Sequence, residues 1–382
     1  MEWRRTPVER IPHKRFRPRF CPHRDCAAHT VQGSHFRCVR KGSHTRKCDR
    51  RTIPRFLCKS CDRTFSLQSF AATYYLKRPQ LLLPVAAGLV AGSAARQISR
   101  SLGCSHTTVV RLGNRLGRHG ILLQGLALQN IDEIKESVVL DHFAGFQSCQ
   151  EMPLGVGTPV GSRSLFTYDL DPVPYRLGGR MTAPRRKRLQ GLEFRYGPFP
   201  RGSFRDSTTA MVRSLLRKIP KNSTLHLVTD KHPAYRPAII SLKGGDDVRH
   251  EVHPNPERGE KGSRRSLKAI ARDRAMFPVD LLHKLFRHSS ANHKRETIAF
   301  GKRGNAILLR LFLLIVWRNF IKDRSERKPT RRSPAMDLGL ADPRWAWRTL
   351  LSQRLFPERV KAEERWMVLY RQEMVTPTVG RN

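Results

Sequence analysis

Apolar residues recur at helical spacing through residues 79–127, then give way to short strand-like runs from residue 131 onward. Residues 93–102 (SAARQISRSL) place Ala94, Ile98 and Leu102 on one face, with Ser93 as a natural N-cap. Gly103 stops that helix as a glycine just past its end, and Ser105 caps a second helix in which Val109, Leu112 and Leu116 repeat. Two short helices across a glycine-containing turn form a helix-turn-helix pattern. Its second helix would offer His106, Thr107, Thr108, Arg111, Asn114 and Arg115 to a major groove. A helical hairpin inside a small bundle is the plainer reading of the same pattern. Further on, 137–141 (SVVLD) is an apolar run ending in an acid, 164–170 (SLFTYDL) reads as a second strand, and 224–230 (TLHLVTD) again ends in Asp. Arg249–His253 follows, and then a long helical segment from about 289 to 322 carrying Glu296. The pattern predicts a chain of helices and strands of the α/β (α+β) class.

Charge narrows the function. Lys+Arg number 73 against 31 Asp+Glu, a net +42. No small neutral metabolite requires such a field, whereas a polyanion does. The first residues, with Trp3, Arg4, Arg5 and the run His13 to Arg19, contain no apolar core of a leader peptide. Two apolar stretches, 81–95 and 306–317, fall short of the roughly 20 residues a membrane span needs, and the second is broken by Arg310. Both are expected to be buried helices of a cytoplasmic, nucleoid-associated protein with no membrane partner.

Six of the eight cysteines crowd into residues 21–61, a clustering that in a reducing compartment points to metal more often than to disulfides. The best ligand set is Cys21 and Cys26 with Cys58 and Cys61, two short knuckles that can close one tetrahedral zinc. Cys38, Cys48, His23 and His29 compete as ligands. Residues 56–66 (FLCKSCDRTFS) suit a zinc-ribbon hairpin, and residues 1–70 carry 18 Lys+Arg against 5 Asp+Glu, which favours a DNA-backbone clamp over a protein-docking module.

An acid at the end of each of two core strands, Asp141 and Asp230, and a third on a following helix, Glu296, form a layout for two Mg²⁺ (or Mn²⁺) ions. Two such ions clamp the attacking and leaving oxygens of an in-line phosphoryl displacement. Each acid alone is more often a turn former or cap. Asp132, Glu136, Asp169, Asp171, Asp246, Asp247, Glu251, Asp273 and Asp280 compete, with Asp280 the strongest rival for the third position.

Over roughly residues 20–322 the chain resembles the DDE transposases of bacterial insertion sequences, those joining an N-terminal zinc ribbon and a helix-turn-helix to an RNase H-like catalytic core. The resemblance is carried by FLCKSCDRTFS (56–66), YYLKRP (74–79), SAARQISRSLGCSHTTV (93–109), VVLDHFAGFQ (138–147), LVTDKHPAY (227–235), RHSSANHKRETIAFGKR (287–303) and VWRNFIK (316–322), in that order. It implies a mixed sheet flanked by helices, with Asp141, Asp230 and Glu296 as the acid triad, holding magnesium. Arg303, at i+7 from Glu296, would lie on the same helix face and hold a DNA phosphate. It further implies binding of double-stranded DNA, both element ends and target, by a homodimer or larger assembly that cleaves and rejoins strands. The expected organisation is a basic zinc ribbon (1–70), a helix-turn-helix domain (71–130), a catalytic domain (131–322) and a basic C-terminal tail (323–382). A non-catalytic DNA-binding regulator built on the same two modules, and a metal-dependent nuclease that cuts without joining, are the alternatives.

Overall fold

The structure, a computed structural model, describes residues 17–31, 35–257, 260 and 264–380; the basic opening segment 1–16 lies outside them. The fold is mixed α/β, and the chain divides into two compact units, Met1–Gln80 with Leu351–Arg359, and Leu81–Leu350 with Val360–Asn382. The expected division into four therefore changes. Helices of segment 71–130 share a core with the sheet, and the C-terminal segment is divided between the units rather than standing apart.

In the smaller unit, β1 (Cys38–Thr45), β2 (Thr52–Cys58) and β3 (Thr64–Ser66) make an antiparallel sheet in that order. β1 is exposed along nearly its whole length and its pairing shifts between Arg40 and Ser43, where Gly42 takes φ +69°; an irregular, polar, basic edge of this kind resists pairing with other strands. Strand β2 turns Ile53, Phe56 and Cys58 inward, and they pack with Phe20, Phe36, Phe65, Leu67 and Phe70. Phe356 joins this aromatic cluster, and the Arg359 guanidinium lies 3.8 Å from the Phe20 ring centre while donating to the carbonyls of His29 and Val31. That is why the short segment 351–359 belongs to this unit.

The larger unit opens with α1 (Leu82–Val90), α2 (Ala95–Ser101) and the 24-residue α3 (His106–Gln129). The two helices across Gly103 form as the periodicity predicts, Val109, Leu112 and Leu116 are buried, and the Ser105 hydroxyl accepts from the Thr108 N–H at 3.2 Å. The first cap differs. Ala94, not Ser93, is the N-cap, because Gln97 reaches back so that its Oε1 accepts from the Ala94 N–H at 2.7 Å. α3 runs far beyond the length of a recognition helix.

The sheet follows: β4 (Val138–Phe143), β5 (Leu154–Gly161), β6 (Asp171–Pro174), then α4 (Ala183–Tyr196), α5 (Ser203–Leu216), β7 (Leu225–Thr229), α6 (Tyr235–Ile240) and β8 (Val248–Val252). Its spatial order is β6-β5-β4-β7-β8, with β5 antiparallel to both neighbours and β4, β7 and β8 parallel. Residues 164–170 do not form the expected strand. The Glu136 carboxylate accepts from the N–H groups of Arg163 and Ser164, Leu165 adopts φ +60°, and the tight turn leaves a single bridge, Val160 to Thr167, before β6 begins.

Last come α7 (Leu267–Ala275), α8 (Phe277–Ser289), α9 (Gly304–Phe320), α10 (Pro334–Asp337), α11 (Trp347–Ser352) and α12 (Glu364–Arg371). The segment 289–322 is not one helix. Between α8 and α9 the Thr297 hydroxyl donates to the Ala291 carbonyl and accepts from the Ala299 N–H, which turns the chain, and extended Arg303 starts α9 anew. α9 is buried almost all round and packs along α3 at very short range. A Cβ on Gly117 would meet the Leu309 carbonyl at 2.3 Å, and one on Gly120 the Phe312 carbonyl at 3.0 Å, so only glycine permits this approach. α12 is tied to the sheet through Arg365, whose Nη1 donates to Asp169 at 2.9 Å and Asp171 at 2.7 Å, and through the Trp366 N–H to Asp169 at 3.0 Å. Among the described residues, no helix is long and apolar enough to cross a membrane; the apolar stretch 81–95 runs through α1 and a turn to the start of α2, and 306–317 falls in α9.

Candidate active site and cysteine cluster

The apolar residues Val138, Val139 and Leu140 bury β4 at the centre of the sheet, and Leu225, Leu227 and Val228 do the same for β7. Because the strands are parallel and Leu140 is paired with Thr229, the next residue of each emerges abreast of the other, and these are Asp141 and Asp230. Asp141 lies in the second half of β4, which runs on to Phe143, and Asp230 directly follows β7, so both face the carboxyl-terminal side of neighbouring parallel strands, where open α/β sheets bind ligands.

Asp141 is largely buried, and its pKa is raised to about 7. Burial contributes most, the charge of Asp230 next, and the charge of Asp280 adds to both, against the stabilising His142 N–H (2.7 Å) and Tyr235 hydroxyl (3.3 Å) on Oδ1. Asp230 is held by the His232 N–H at 3.0 Å and the Asn255 side-chain amide at 3.1 Å. The His142 ring lies stacked over Tyr235, its Nδ1 3.1 Å from the phenolic oxygen, and Phe204 packs on His142 and His232 at 5.0 and 4.6 Å. Burial, then the neighbouring His232, lowers the His142 pKa to about 3, so the ring is neutral.

α8 brings two groups to the same place. Asp280 sits in its first turn, paired with Arg272 of α7, and His283 follows one turn later on the same face. The Thr158 hydroxyl donates to the Asp141 carbonyl at 3.0 Å and so must accept from His283 Nε2 at 2.8 Å. His283, with its pKa lowered to about 3 by burial first and then by the neighbouring His142, Arg287 and Arg272, is neutral and therefore turns a bare Nδ1 toward Asp141 Oδ2, 3.7 Å away. Two acceptors face each other there, which again favours a proton on Asp141.

Glu296 is a correction. It is exposed in the turn between α8 and α9 instead of on a helix, and Arg303 is the N-cap of α9, so the two do not share a helix face. The acid whose charge reaches Asp141 from a helix is Asp280. Several other acids are engaged elsewhere: Asp169 and Asp171 by Arg365, Glu136 by the turn at 163–164, Glu251 by His226 and His253 at 2.7 and 2.6 Å. His142 and Tyr235 lie inside the motifs VVLDHFAGFQ and LVTDKHPAY, which assign them no role. Asn255 and His283 carry no local signal, except that His283 stands three residues after Asp280.

Of the groove-reading candidates, His106, Thr107 and Arg111 are exposed on α3, and Thr108, Asn114 and Arg115 are partly buried. The Thr107 and Thr108 hydroxyls both lie within hydrogen-bond reach of Ser105 Oγ, at 3.1 and 2.8 Å.

In the smaller unit, the sulfurs of Cys21, Cys26, Cys58 and Cys61 all lie within 4.8 Å of one another. Cys21 to Cys61 and Cys26 to Cys58 are each 3.8 Å, the edge of a tetrahedron with metal–sulfur bonds of about 2.3 Å. The donor set fits a metal such as zinc. Cys21 and Cys26 are placed by the loop bonds Cys21 N–H to Ala28 O and Cys26 N–H to His23 O, Cys58 ends β2, and the Ser60 N–H points at its sulfur at 3.4 Å. Burial pushes the Cys21 thiol far up. At Cys61 burial is outweighed by the Arg63 N–H and guanidinium, and the pKa falls to about 7. Of the competing ligands, His29 Nδ1 is committed to the Cys21 carbonyl at 2.7 Å, and Cys48 is exposed with its sulfur toward the Leu76 carbonyl.

No protein-family model matches this chain, and no curated protein matches it significantly.

Proposed function

We propose that this protein is a metal-dependent DNA strand transferase of the DDE transposase kind, with Asp141, Asp230 and Asp280 as its acids. One observation carries the reading: two carboxylates stand abreast on the central parallel strands, and burial first, with the charge of Asp230 next, holds a proton on Asp141. A cation relieves such a pair. The order β6-β5-β4-β7-β8 with β5 reversed supports an RNase H-like core, in which the helix carrying Asp280 follows the fifth strand.

Mg²⁺ or Mn²⁺ ions held by these acids would supply Lewis acidity to the phosphoryl oxygen and to the attacking hydroxyl. The protein's own work is positional. Tyr235 and the His142 N–H hold Oδ1 of Asp141, while Asn255 and the His232 N–H fix Asp230. Phe204, His142 and Tyr235 pack behind the acids and exclude water from that side. Hydrolysis at an element end frees a 3′-hydroxyl, which then attacks a target strand. Joining two ends needs two sites, hence an assembly on double-stranded DNA. The four thiolates would hold a structural zinc, the basic unit around them would clamp backbone, and the exposed start of α3 would read a groove.

The test is a supercoiled plasmid carrying the gene with its native flanks, incubated in Mg²⁺ and separately in Ca²⁺. Breaks at both flanks with joined products are expected in Mg²⁺ only. Asp230→Asn and Asp280→Asn should keep flank binding and lose more than about a hundredfold in cleavage, whereas Glu296→Gln should cut normally. Normal cleavage by Asp230→Asn would sink the assignment, and loss in Glu296→Gln alone would return the third role to Glu296.

A further inference from the structure

The most exposed aromatic side chain of the core unit has no role so far. Phe194 is 96% exposed near the C-terminal end of α4, a helix that buries little besides Leu189, which is seated with Met152, Phe199 and Val379. The outward face runs through Lys187, Gln190, Gly191 and Phe194, flanked by exposed Arg186, Arg188 and Arg195. Arg185 and Arg188 approach Glu151, and Arg176 pairs with Glu193 at 2.7 Å. Arg186 and Lys187 have no carboxylate partner among the described residues. A bare aromatic ring amid unpaired cations is costly to leave in water and repels another copy of this strongly basic chain. It fits a polyanion that also presents flat apolar faces, which an unpaired nucleic-acid strand does and a closed duplex does not.

The position of α4 sharpens this. β6 runs parallel to β4, and its pairing places residues 172–174 beyond the level of Asp141, so the chain leaves the sheet at the end where the acids lie. The excursion returns at Phe204, whose ring is 5.1 Å from that of Tyr175 and packs on His142. Both roots of the α4 excursion thus stand beside the candidate active site.

We propose that α4 holds an unpaired DNA strand next to the acids, with Arg186 and Lys187 on phosphates and Phe194 stacked on a base. The inference rests on the strand-transfer reading for the identity of the nucleic acid, yet its test needs no catalysis. The full-length Asp230→Asn protein is mixed with a thymine-rich single-stranded oligonucleotide in which iodouracil replaces thymine, irradiated at long wavelength, and the cross-linked peptide is sequenced. The cross-link should fall on Phe194. Phe194→Ala should abolish it and weaken single-strand binding roughly tenfold while leaving duplex binding unchanged, and Phe194→Trp should restore both. Arg186→Glu with Lys187→Glu should reduce the salt slope of single-strand binding by about 0.7 for each phosphate no longer neutralised, about 1.4 together. Cross-links mapping elsewhere, with an unchanged salt slope, would overturn the proposal. A Phe194 cross-link persisting while Asp230→Asn still cuts plasmid would instead remove the catalytic reading and leave the strand site standing.

Discussion

Replacing Asp141 by Asn should make the metal-free protein more stable at alkaline pH. The folded carboxyl titrates at about 7 against an ordinary 3.8, through burial first and repulsion by Asp230 next. Between those two values the folded protein binds more protons than the unfolded chain, so wild-type stability falls as pH rises through that window and is lowest above it. At 1.36 kcal/mol per pH unit, the ionised form costs the fold about 4 kcal/mol at most. Asn keeps an oxygen for the His142 N–H and Tyr235 hydroxyl, and its amide can donate to the bare His283 Nδ1, which the carboxylate can only face. The expected gain is on the order of 2–4 kcal/mol at about pH 8, shrinking toward zero near pH 4. Urea unfolding followed by tryptophan fluorescence suits the measurement, since Trp317, Trp345, Trp347 and Trp366 all belong to the larger unit. Added Mg²⁺ should largely close this gap by stabilising wild type alone, by about 2.7 kcal/mol at a hundred times its dissociation constant. An Asn variant less stable than wild type at about pH 8 without metal would refute the reasoning, because the carboxylate would then be favourably paired.

Two further outcomes test the parts that frame the site. Cys58→Ser should release about one equivalent of zinc, read by elemental analysis, and unfold the smaller unit, because metal binding of roughly 10 kcal/mol or more is folding energy in such units; a folded, fully zinc-loaded variant would exclude the four-sulfur site. Gly117→Ala should destabilise the larger unit by about 1–3 kcal/mol in the same urea assay, since its Cβ would meet the Leu309 carbonyl at 2.3 Å and α9 cannot retreat without opening the core; an unchanged midpoint would mean the helices separate freely.

Some of this architecture is written into local order. The knuckles Cys21–Cys26 and Cys58–Cys61 are legible because two thiolates must come from short loops to reach one metal. The helices on either side of Gly103 are legible because their periodicity and the Ser105 cap depend on neighbours three or four residues away. Likewise the apolar runs before Asp141 and Asp230 predict the strands that carry these acids, although β4 continues past Asp141 to Phe143 while β7 ends just before Asp230. Tertiary packing decided the rest. Whether an acid faces Asp141 depends on how α8 lies against β4 and β5, and that brings Asp280 and His283 inward while the Thr297 turn leaves Glu296 in solvent. The same holds for Asp169 and Asp171, which became partners of Arg365 from almost 200 residues away, and for α3, whose glycines have meaning only once α9 lies against them. Short-range pattern records which residues share a face; burial, register and charge repulsion between distant segments exist only after the chain has folded.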